Sequence, residues 1–107
     1  MDPVETVIRE KLLRFYEAVR PLLPVRKVLL YGSHAKGRAR PDSDIDVAVV
    51  VAERDHSRRI EITARLFDSA FRIDPALEPK CIFQDEYENH DPASILAEII
   101  NTGIEIV

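Results

Sequence analysis

Residues 28–51 read VLLYGSHAKGRARPDSDIDVAVVV, and this stretch decides the fold. An apolar run ends in Gly32-Ser33, a basic segment punctuated by glycine and proline follows, and a second apolar run opens with Asp44-Ile45-Asp46. Two apolar runs separated by turn residues predict two strands. Because side chains alternate along a strand, Asp44 and Asp46 should share one face of the sheet.

Two carboxylates side by side at the start of a strand repel each other, and burying either ion is costly without a counter-charge. A bound divalent cation is the simplest compensation, and Mg²⁺ is typically held by one or two carboxylates together with substrate phosphates. Asp44 and Asp46 are therefore candidate metal ligands. A solvated loop edge is the alternative interpretation of the same pair.

The composition indicates a single domain, residues 1–107, with room for one modest core. The chain is 46% hydrophobic and 32% charged, and its net charge of −4 argues against a polybasic surface, so direct nucleic-acid binding is not expected. No apolar run approaches the ~20 residues of a membrane span, and no signal-peptide profile is present. The single cysteine, Cys81, predicts a buried, inert thiol in a reducing compartment. We expect a cytoplasmic protein.

Apolar periodicity predicts the order helix, strand, short helix, strand, helix, strand, helix. The predicted elements are a helix from Asp2-Pro3 to about residue 20, strands over 25–31, 45–52 and 77–83, one or two helical turns over 34–38, a helix over 58–71, a polar connection over 84–90, a helix from Asp91-Pro92 to Gly103, and a short strand or docked tail over 104–107. The connection over 32–43 is too short for a helical crossover. We therefore expect an α+β fold with a small mixed or antiparallel sheet flanked by helices.

The sequence makes more detailed predictions for two of these elements, the third strand and the helix over 58–71. Pro79 cannot donate to a sheet ladder, which predicts an edge position or a bulge for the third strand. In the helix over 58–71, apolar spacing predicts an inward stripe, broadened by Ile62 and Leu66. The residues of that stripe are Ile60, Ala64, Phe67 and Phe71.

The Gly32-Ser33 pair is a candidate phosphate-binding site. Glycine lets a ligand approach the backbone closely, and a helix starting over 34–38 would direct free N–H groups at one spot. Lys36, Arg38 and Arg40 add positive charge nearby. A phosphate-binding loop beside a metal ion held by carboxylates is the arrangement that nucleotidyl transfer uses. An ordinary turn is the alternative interpretation of Gly-Ser.

The ordered motif, Gly32-Ser33, ten intervening residues and Asp44-x-Asp46, resembles the signature of the DNA polymerase β-like nucleotidyltransferase superfamily. Its smallest members, the MNT-type minimal nucleotidyltransferases, are the most similar. The resemblance implies that Gly32 and Ser33 bind the triphosphate and that Asp44 and Asp46 bind Mg²⁺. Lys36, for its charge beside the loop, is a further candidate for nucleotide binding. It also implies a nucleotidyltransferase fold.

Three further positions are interpreted through this resemblance. Ser43 matches the Ser-Asp-x-Asp form of the motif, as part of the nucleotide-binding loop with a structural role in capping the turn. His34 stands where arginine is more usual, so it either contacts phosphate or lies in an exposed loop. Family members also use a third carboxylate on a later strand, for which Glu78 is the first candidate, Asp74 the second, and Asp85 lies beyond the expected strand end. A surface glutamate is the alternative for Glu78.

The small size of the chain leaves no room for an acceptor-binding domain. The resemblance therefore implies a partner, namely a helical HEPN-type toxin onto whose tyrosine AMP is transferred from ATP. One alternative is a non-catalytic, antitoxin-like subunit that neutralises its partner by contact. A weaker one is a small-molecule or RNA nucleotidyltransferase. A homo- or hetero-oligomer is compatible with each.

Overall fold

The computed structural model describes residues 4–107, and this range contains four α-helices and four strands. The elements are α1 (Thr6–Val19), β1 (Val25–Tyr31), β2 (Ile45–Val51), α2 (Arg59–Ile73), β3 (Leu77–Phe83), α3 (Gln84–Glu88), α4 (Ile95–Thr102) and β4 (Ile104–Glu105), with a 3-10 turn at His56–Arg58. The predicted helix start at Asp2-Pro3 lies outside the described residues. No helix in this range combines the length and the apolar character needed to cross a membrane.

The strands form one mixed sheet in the order β3-β2-β1-β4. Strand β1 runs antiparallel to β2 and β4, whereas β2 and β3 are parallel. A parallel pair requires a crossover, which α2 supplies, while the short connection between β1 and β2 can join only antiparallel neighbours. The expected α+β fold with a small mixed sheet is confirmed, as is the short final strand.

The two faces of the sheet are covered to different extents. On the first face, α1 and α2 pack in the larger core through Leu12, Phe15 and Leu66, among other side chains. The second face carries a smaller cluster around Ala48 and Val50, to which α4 contributes Ile99. Asp46 alternates with Val47 and therefore belongs to this second, less covered face.

The outer edge of β3 is closed to further strand pairing. Pro79 has no N–H to donate, and the Arg59 guanidinium donates to the Cys81 carbonyl oxygen at 3.0 Å. The Phe83 N–H donates to the Glu86 carboxylate at 3.0 Å. These contacts occupy the groups that an added strand would need. The predicted edge position of Pro79 is confirmed, and Cys81 is a buried free thiol, as predicted.

Two predictions about helices are wrong. Residues 33–37 form turns rather than a helix, held by bonds from the Lys36 N–H to the Gly32 carbonyl (3.1 Å) and from the Arg38 N–H to the Ser33 carbonyl (2.9 Å). The last helix begins at Ile95, not at Asp91-Pro92, because the Ser94 hydroxyl accepts the Ala97 N–H at 3.1 Å and caps it.

The predicted inward stripe of α2 is wrong for Ile60, Ala64, Phe67 and Phe71, which are exposed, and correct for Ile62 and Leu66, which were expected to broaden it. Its buried residues are Ile62, Leu66, Ser69 and Ala70. Ile60 is 85% exposed, Phe67 44% and Phe71 69%. The core therefore covers the side of the helix that carries Ile62 and Leu66. The segment over 84–90, expected to be a connection, contains the short helix α3.

Candidate active site

Three side chains line up across the sheet where β1 ends and β2 and β3 begin. Asp46 is paired with Tyr31 on β1 and with Glu78 on β3. Neighbouring strands lie about 4.8 Å apart, so a row of paired residues has its side chains on one face and in reach of each other. Asp44 precedes Asp46 by two residues. The register therefore places Glu78 beside Asp46 at one end of the sheet, with Asp44 just before the start of β2, and we call these three residues the carboxylate cluster.

Gly32 lies directly against this cluster. Its φ is +76°, a conformation that side chains with a Cβ rarely adopt. A Cβ placed on Gly32 would lie 2.3 Å from the Asp46 Oδ2 atom. Glycine is thus required twice here, once for the turn and once for the close approach of the Asp46 carboxylate to the backbone.

The charges of the cluster are not compensated by the protein. Within residues 4–107, Asp44, Asp46 and Glu78 make no ion pair and no side-chain hydrogen bond. Burial raises the pKa of Asp46 above its ordinary value, the neighbouring Asp44 raises it further, and His34 partly opposes the change. Burial, followed by the charges of Asp46 and Glu78, likewise raises the pKa of Tyr31.

An added cation would relieve this repulsion, and the donor set fits Mg²⁺. All the available donors are carboxylate oxygens, and Mg²⁺ prefers oxygen ligands, completing its shell with water and substrate phosphate. No group of three or more acidic, histidine or cysteine side chains is preformed as a metal site in residues 4–107.

The loop after β1 offers donors to an anion without a helix. The backbone N–H groups of Ser33, His34 and Ala35 have no acceptor within the described part of the chain. Successive free N–H groups in a turn form an anion-binding concavity. Lys36 ion-pairs with Glu98 of α4 at 3.3 Å, both side chains being exposed, so its ammonium group remains accessible to a phosphate.

Ser43 holds the far end of this loop. Its hydroxyl accepts the Arg40 N–H at 2.8 Å, and its own N–H donates to the Arg40 carbonyl at 3.0 Å. The structure thus gives Ser43 the turn-capping contacts expected from the sequence. The guanidinium groups of Arg38 and Arg40 have no acidic partner in residues 4–107. They remain available as positive charge beside the loop.

His34 does not lie in an open loop. Its Nε2 atom is buried and has no hydrogen-bond partner in residues 4–107. The ring lines a cavity of about 100 Å³ between the loop and the start of α1, together with Glu5, Ile8 and Leu30. Sequence reasoning had no signal for this burial.

The other two candidates for the third carboxylate are engaged elsewhere. Asp74, at the end of α2, accepts from Lys11 Nζ at 2.5 Å and from the Ala76 N–H at 2.8 Å. Asp85, at the start of α3, lies 2.9 Å from His56 Nε2. Of the three, Glu78 is the one that the strand register brings next to Asp46.

Two clefts meet at Tyr31, which sequence reasoning did not single out. The Gly32 cleft, about 190 Å³, is lined by Tyr31, Gly32, Lys36 and the α4 residues Ile95, Glu98, Ile99 and Thr102. The Glu78 cleft, about 380 Å³, is lined by Tyr31, Arg59, Thr63, Phe67, Glu78, Pro79, Lys80 and Cys81. The position of Tyr31, last in its strand before Gly32, is the signal that could have identified it.

A family model and several solved structures are similar to this chain. The family model described as "Polymerase beta, Nucleotidyltransferase" matches residues 16–107. No curated protein matches the chain significantly. Among solved structures, a candidate nucleotidyltransferase from Sulfolobus solfataricus is similar, with a TM-score of 0.64 and 15% identity over 92% of this chain and 78% of the other.

Two further similar structures are complexes. A chain of a toxin–antitoxin complex with AMP-PNP has a TM-score of 0.54 and 19% identity, over 92% of this chain and 72% of the other. A chain of the complex between tri-AMPylated Shewanella oneidensis HEPN toxin and MNT antitoxin has a TM-score of 0.50 and 18% identity, over 94% and 70%. At these identities the likeness shows a shared fold.

Proposed function

This chain belongs to the polymerase β nucleotidyltransferase family, and from that membership we propose that it transfers AMP from ATP to a tyrosine hydroxyl of a HEPN-type partner protein, with Mg²⁺ as cofactor. The observation that carries the proposal is the register that sets Glu78 beside Asp46, with Asp44 two residues away and Gly32 against the Asp46 carboxylate. This arrangement combines metal ligands, a candidate base and a phosphate loop at one end of the sheet.

Each part of the site has a role in the proposed reaction. The free N–H groups after Gly32 and the Lys36 ammonium bind the phosphates of ATP in the Gly32 cleft. The acceptor oxygen enters through the Glu78 cleft and attacks the α-phosphorus. The new O–P bond forms as the bond between the α-phosphorus and its bridging oxygen breaks, and pyrophosphate leaves. Glu78 takes the proton of the acceptor hydroxyl.

Asp44 and Asp46 would hold the Mg²⁺ ion. When bound, the ion neutralises phosphate charge and makes the acceptor hydroxyl more acidic. The raised pKa of Asp46 supports a role that needs a nearby cation, because burial and Asp44 both disfavour its charged form when no cation is present.

The choice of acceptor is supported by the relatives rather than by the site. One similar structure is of a toxin–antitoxin complex with AMP-PNP, and another contains a tri-AMPylated HEPN toxin with an MNT antitoxin.

The test uses a purified HEPN-type protein, MgCl₂ and ATP labelled at either the α- or the γ-phosphate. We expect label on the partner from α-labelled ATP and none from γ-labelled ATP, which separates adenylyl from phosphoryl transfer. Asp46→Asn and Glu78→Gln should each lower the transfer rate by at least about 100-fold, in the range for loss of one catalytic group. Asp42→Asn, an exposed carboxylate in the same loop, is the matched control and should keep the wild-type rate.

Failure of the wild-type protein to transfer label would overturn the proposal. The non-catalytic alternative makes a different prediction, because Asp46→Asn should then neutralise the partner as well as the wild type does. Measuring partner ribonuclease activity beside label transfer separates the two functions.

A further inference from the structure

One tyrosine of this chain lies inside the candidate active site. Tyr31 is the last residue of β1, and the sheet register sets it in one row with Asp46 and Glu78. Among the described residues it is the one common to the linings of the Gly32 cleft and the Glu78 cleft. In the proposed reaction ATP occupies the first cleft and the acceptor hydroxyl enters through the second. Tyr31 therefore lies where the two substrates have to meet.

The phenol of Tyr31 is close to both carboxylates of its row. Burial raises the pKa of Tyr31, and the charges of Asp46 and Glu78 raise it further, so both carboxylates are within electrostatic reach of the hydroxyl. Within residues 4–107 this hydroxyl makes no hydrogen bond. Such a phenol keeps its proton until a base removes it. Glu78, the base of the proposed reaction, is on the same face of the sheet.

The other two of the three tyrosines are placed differently. Tyr16 packs against the larger core, on the first face of the sheet. Tyr87 of α3 packs against the smaller cluster, with the Lys27 ammonium 5.8 Å from the centroid of its ring. Neither residue lines the Gly32 cleft or the Glu78 cleft. The fold thus brings one phenol, that of Tyr31, to the site of a reaction whose proposed acceptor is a phenol.

We propose that Tyr31 is itself an acceptor of AMP, within the molecule that binds the ATP. Its phenolic oxygen attacks the α-phosphorus, and the new O–P bond forms as the bond between that phosphorus and its bridging oxygen breaks. Pyrophosphate leaves, and the proton of the hydroxyl passes to Glu78. The product carries AMP as a phosphodiester on Tyr31. This inference rests on the proposed function, since it uses the same donor and the same base, and it adds a modification site on the chain itself.

The position of Tyr31 in the sheet makes the reaction intramolecular. Tyr31 is paired with Asp46 of β2, and the preceding Leu30 is paired with Val47 on one side and with Ile104 of β4 on the other. The end of β1 is therefore held between two strands and cannot enter the cleft of another copy without breaking the sheet. A reaction within one molecule has a rate per molecule that does not depend on the protein concentration.

The test incubates the purified chain alone with MgCl₂ and ATP labelled at either the α- or the γ-phosphate, and mass spectrometry locates the product. We expect the mass of one AMP on the peptide that contains Tyr31, and label from α-labelled ATP only. Tyr31→Phe removes the attacking oxygen and should abolish labelling, while circular dichroism confirms its folding. Tyr16→Phe and Tyr87→Phe are the matched controls and should be labelled like the wild type. AMP already present on Tyr31 before incubation would equally support the inference.

A mixing experiment tests the intramolecular route. The wild-type chain is incubated with an Asp46→Asn chain that carries an affinity tag, so that the two differ in mass. We expect label on the wild-type chain alone, at a rate per molecule that dilution leaves unchanged. Label on the Asp46→Asn chain would overturn transfer within one molecule. A wild-type chain without AMP, or AMP on Ser33 or Thr63 in place of Tyr31, would overturn the assignment of the acceptor.

The two proposals fail separately. If the HEPN-type partner acquires AMP while the chain itself acquires none, the proposed function stands and Tyr31 is not an acceptor. If Tyr31 acquires AMP and the partner does not, adenylyl transfer stands and the choice of partner is wrong. Absence of AMP from both proteins contradicts both proposals.

Discussion

Replacing Gly32 by alanine tests whether this glycine serves the site as well as the turn. The added Cβ would lie 2.3 Å from Asp46 Oδ2 and 3.1 Å from its Cγ, far inside van der Waals contact. The carboxylate can rotate away from the added Cβ, and the remaining contact, 3.3 Å to the Asp46 Cβ, needs a backbone shift of only a few tenths of an ångström, so the clash itself costs little stability. The rotation would, however, move the Asp46 carboxylate away from its place beside the loop. We therefore expect a loss of Mg²⁺-dependent ATP binding.

Gly37 provides the matched control. Its φ of +68° is similar, but an added Cβ would meet nothing within 4 Å. Both Gly32→Ala and Gly37→Ala force alanine into a left-handed conformation, which costs about 1–2 kcal/mol. For a domain of this size each kcal/mol lowers the melting temperature by about 4–8 °C. The two variants should therefore be destabilised alike in thermal unfolding.

Titration calorimetry with ATP, in MgCl₂ and in EDTA, separates the two effects. We expect Gly37→Ala to bind MgATP like the wild type and Gly32→Ala to bind it at least about 10-fold more weakly, a difference of about 1.4 kcal/mol. Equal MgATP affinity in the two variants would refute the assignment of Asp46 as the group that Gly32 accommodates.

Three other predictions concern stability. The Lys11 ammonium holds the pKa of Asp74 below its ordinary value. The pair therefore stabilises the fold above the unfolded carboxyl pKa of about 3.9, and this stabilisation is lost as the pH falls through the lower pKa of the folded state. In urea titrations, Asp74→Asn should lower the free energy of unfolding by about 1 kcal/mol at pH 7 and by progressively less below pH 4. Ser94→Ala removes the cap of α4 and should cost about 1 kcal/mol, with faster amide exchange in that helix. Phe15→Ala, at a fully buried position, should cost about 3–5 kcal/mol, whereas Phe71→Ala should change stability by less than about 0.5 kcal/mol.

Much of the site was predictable because it is local in sequence. Gly32, Ser33, Asp44 and Asp46 lie within one strand-turn-strand unit, where alternation and turn chemistry decide which side chains meet. The choice of Glu78 as third carboxylate depended on the strand over 77–83 being a neighbour of β2, which the register confirms. Its catalytic role stays a prediction.

The errors arose where packing between distant segments decides the outcome. Apolar spacing on α2 was interpreted as one broad inward stripe, and nothing in the sequence says that only its Ile62 and Leu66 side will be covered. Residues 33–37 could have formed a helix by their local propensity. The left-handed backbone at Gly32 and Gly37 holds them in turns instead.

The sequence by itself determined the elements of the fold and the chemistry at the ends of β1 and β2, because strand alternation and turn preferences are properties of neighbouring residues. Only the tertiary structure decided that Glu78, rather than Asp74 or Asp85, lies beside Asp46, because that choice follows from the parallel pairing of β2 with β3. It likewise decided that Ile60, Phe67 and Phe71 of α2 face away from the core. Both outcomes depend on contacts between segments far apart in the chain, which local patterns do not encode.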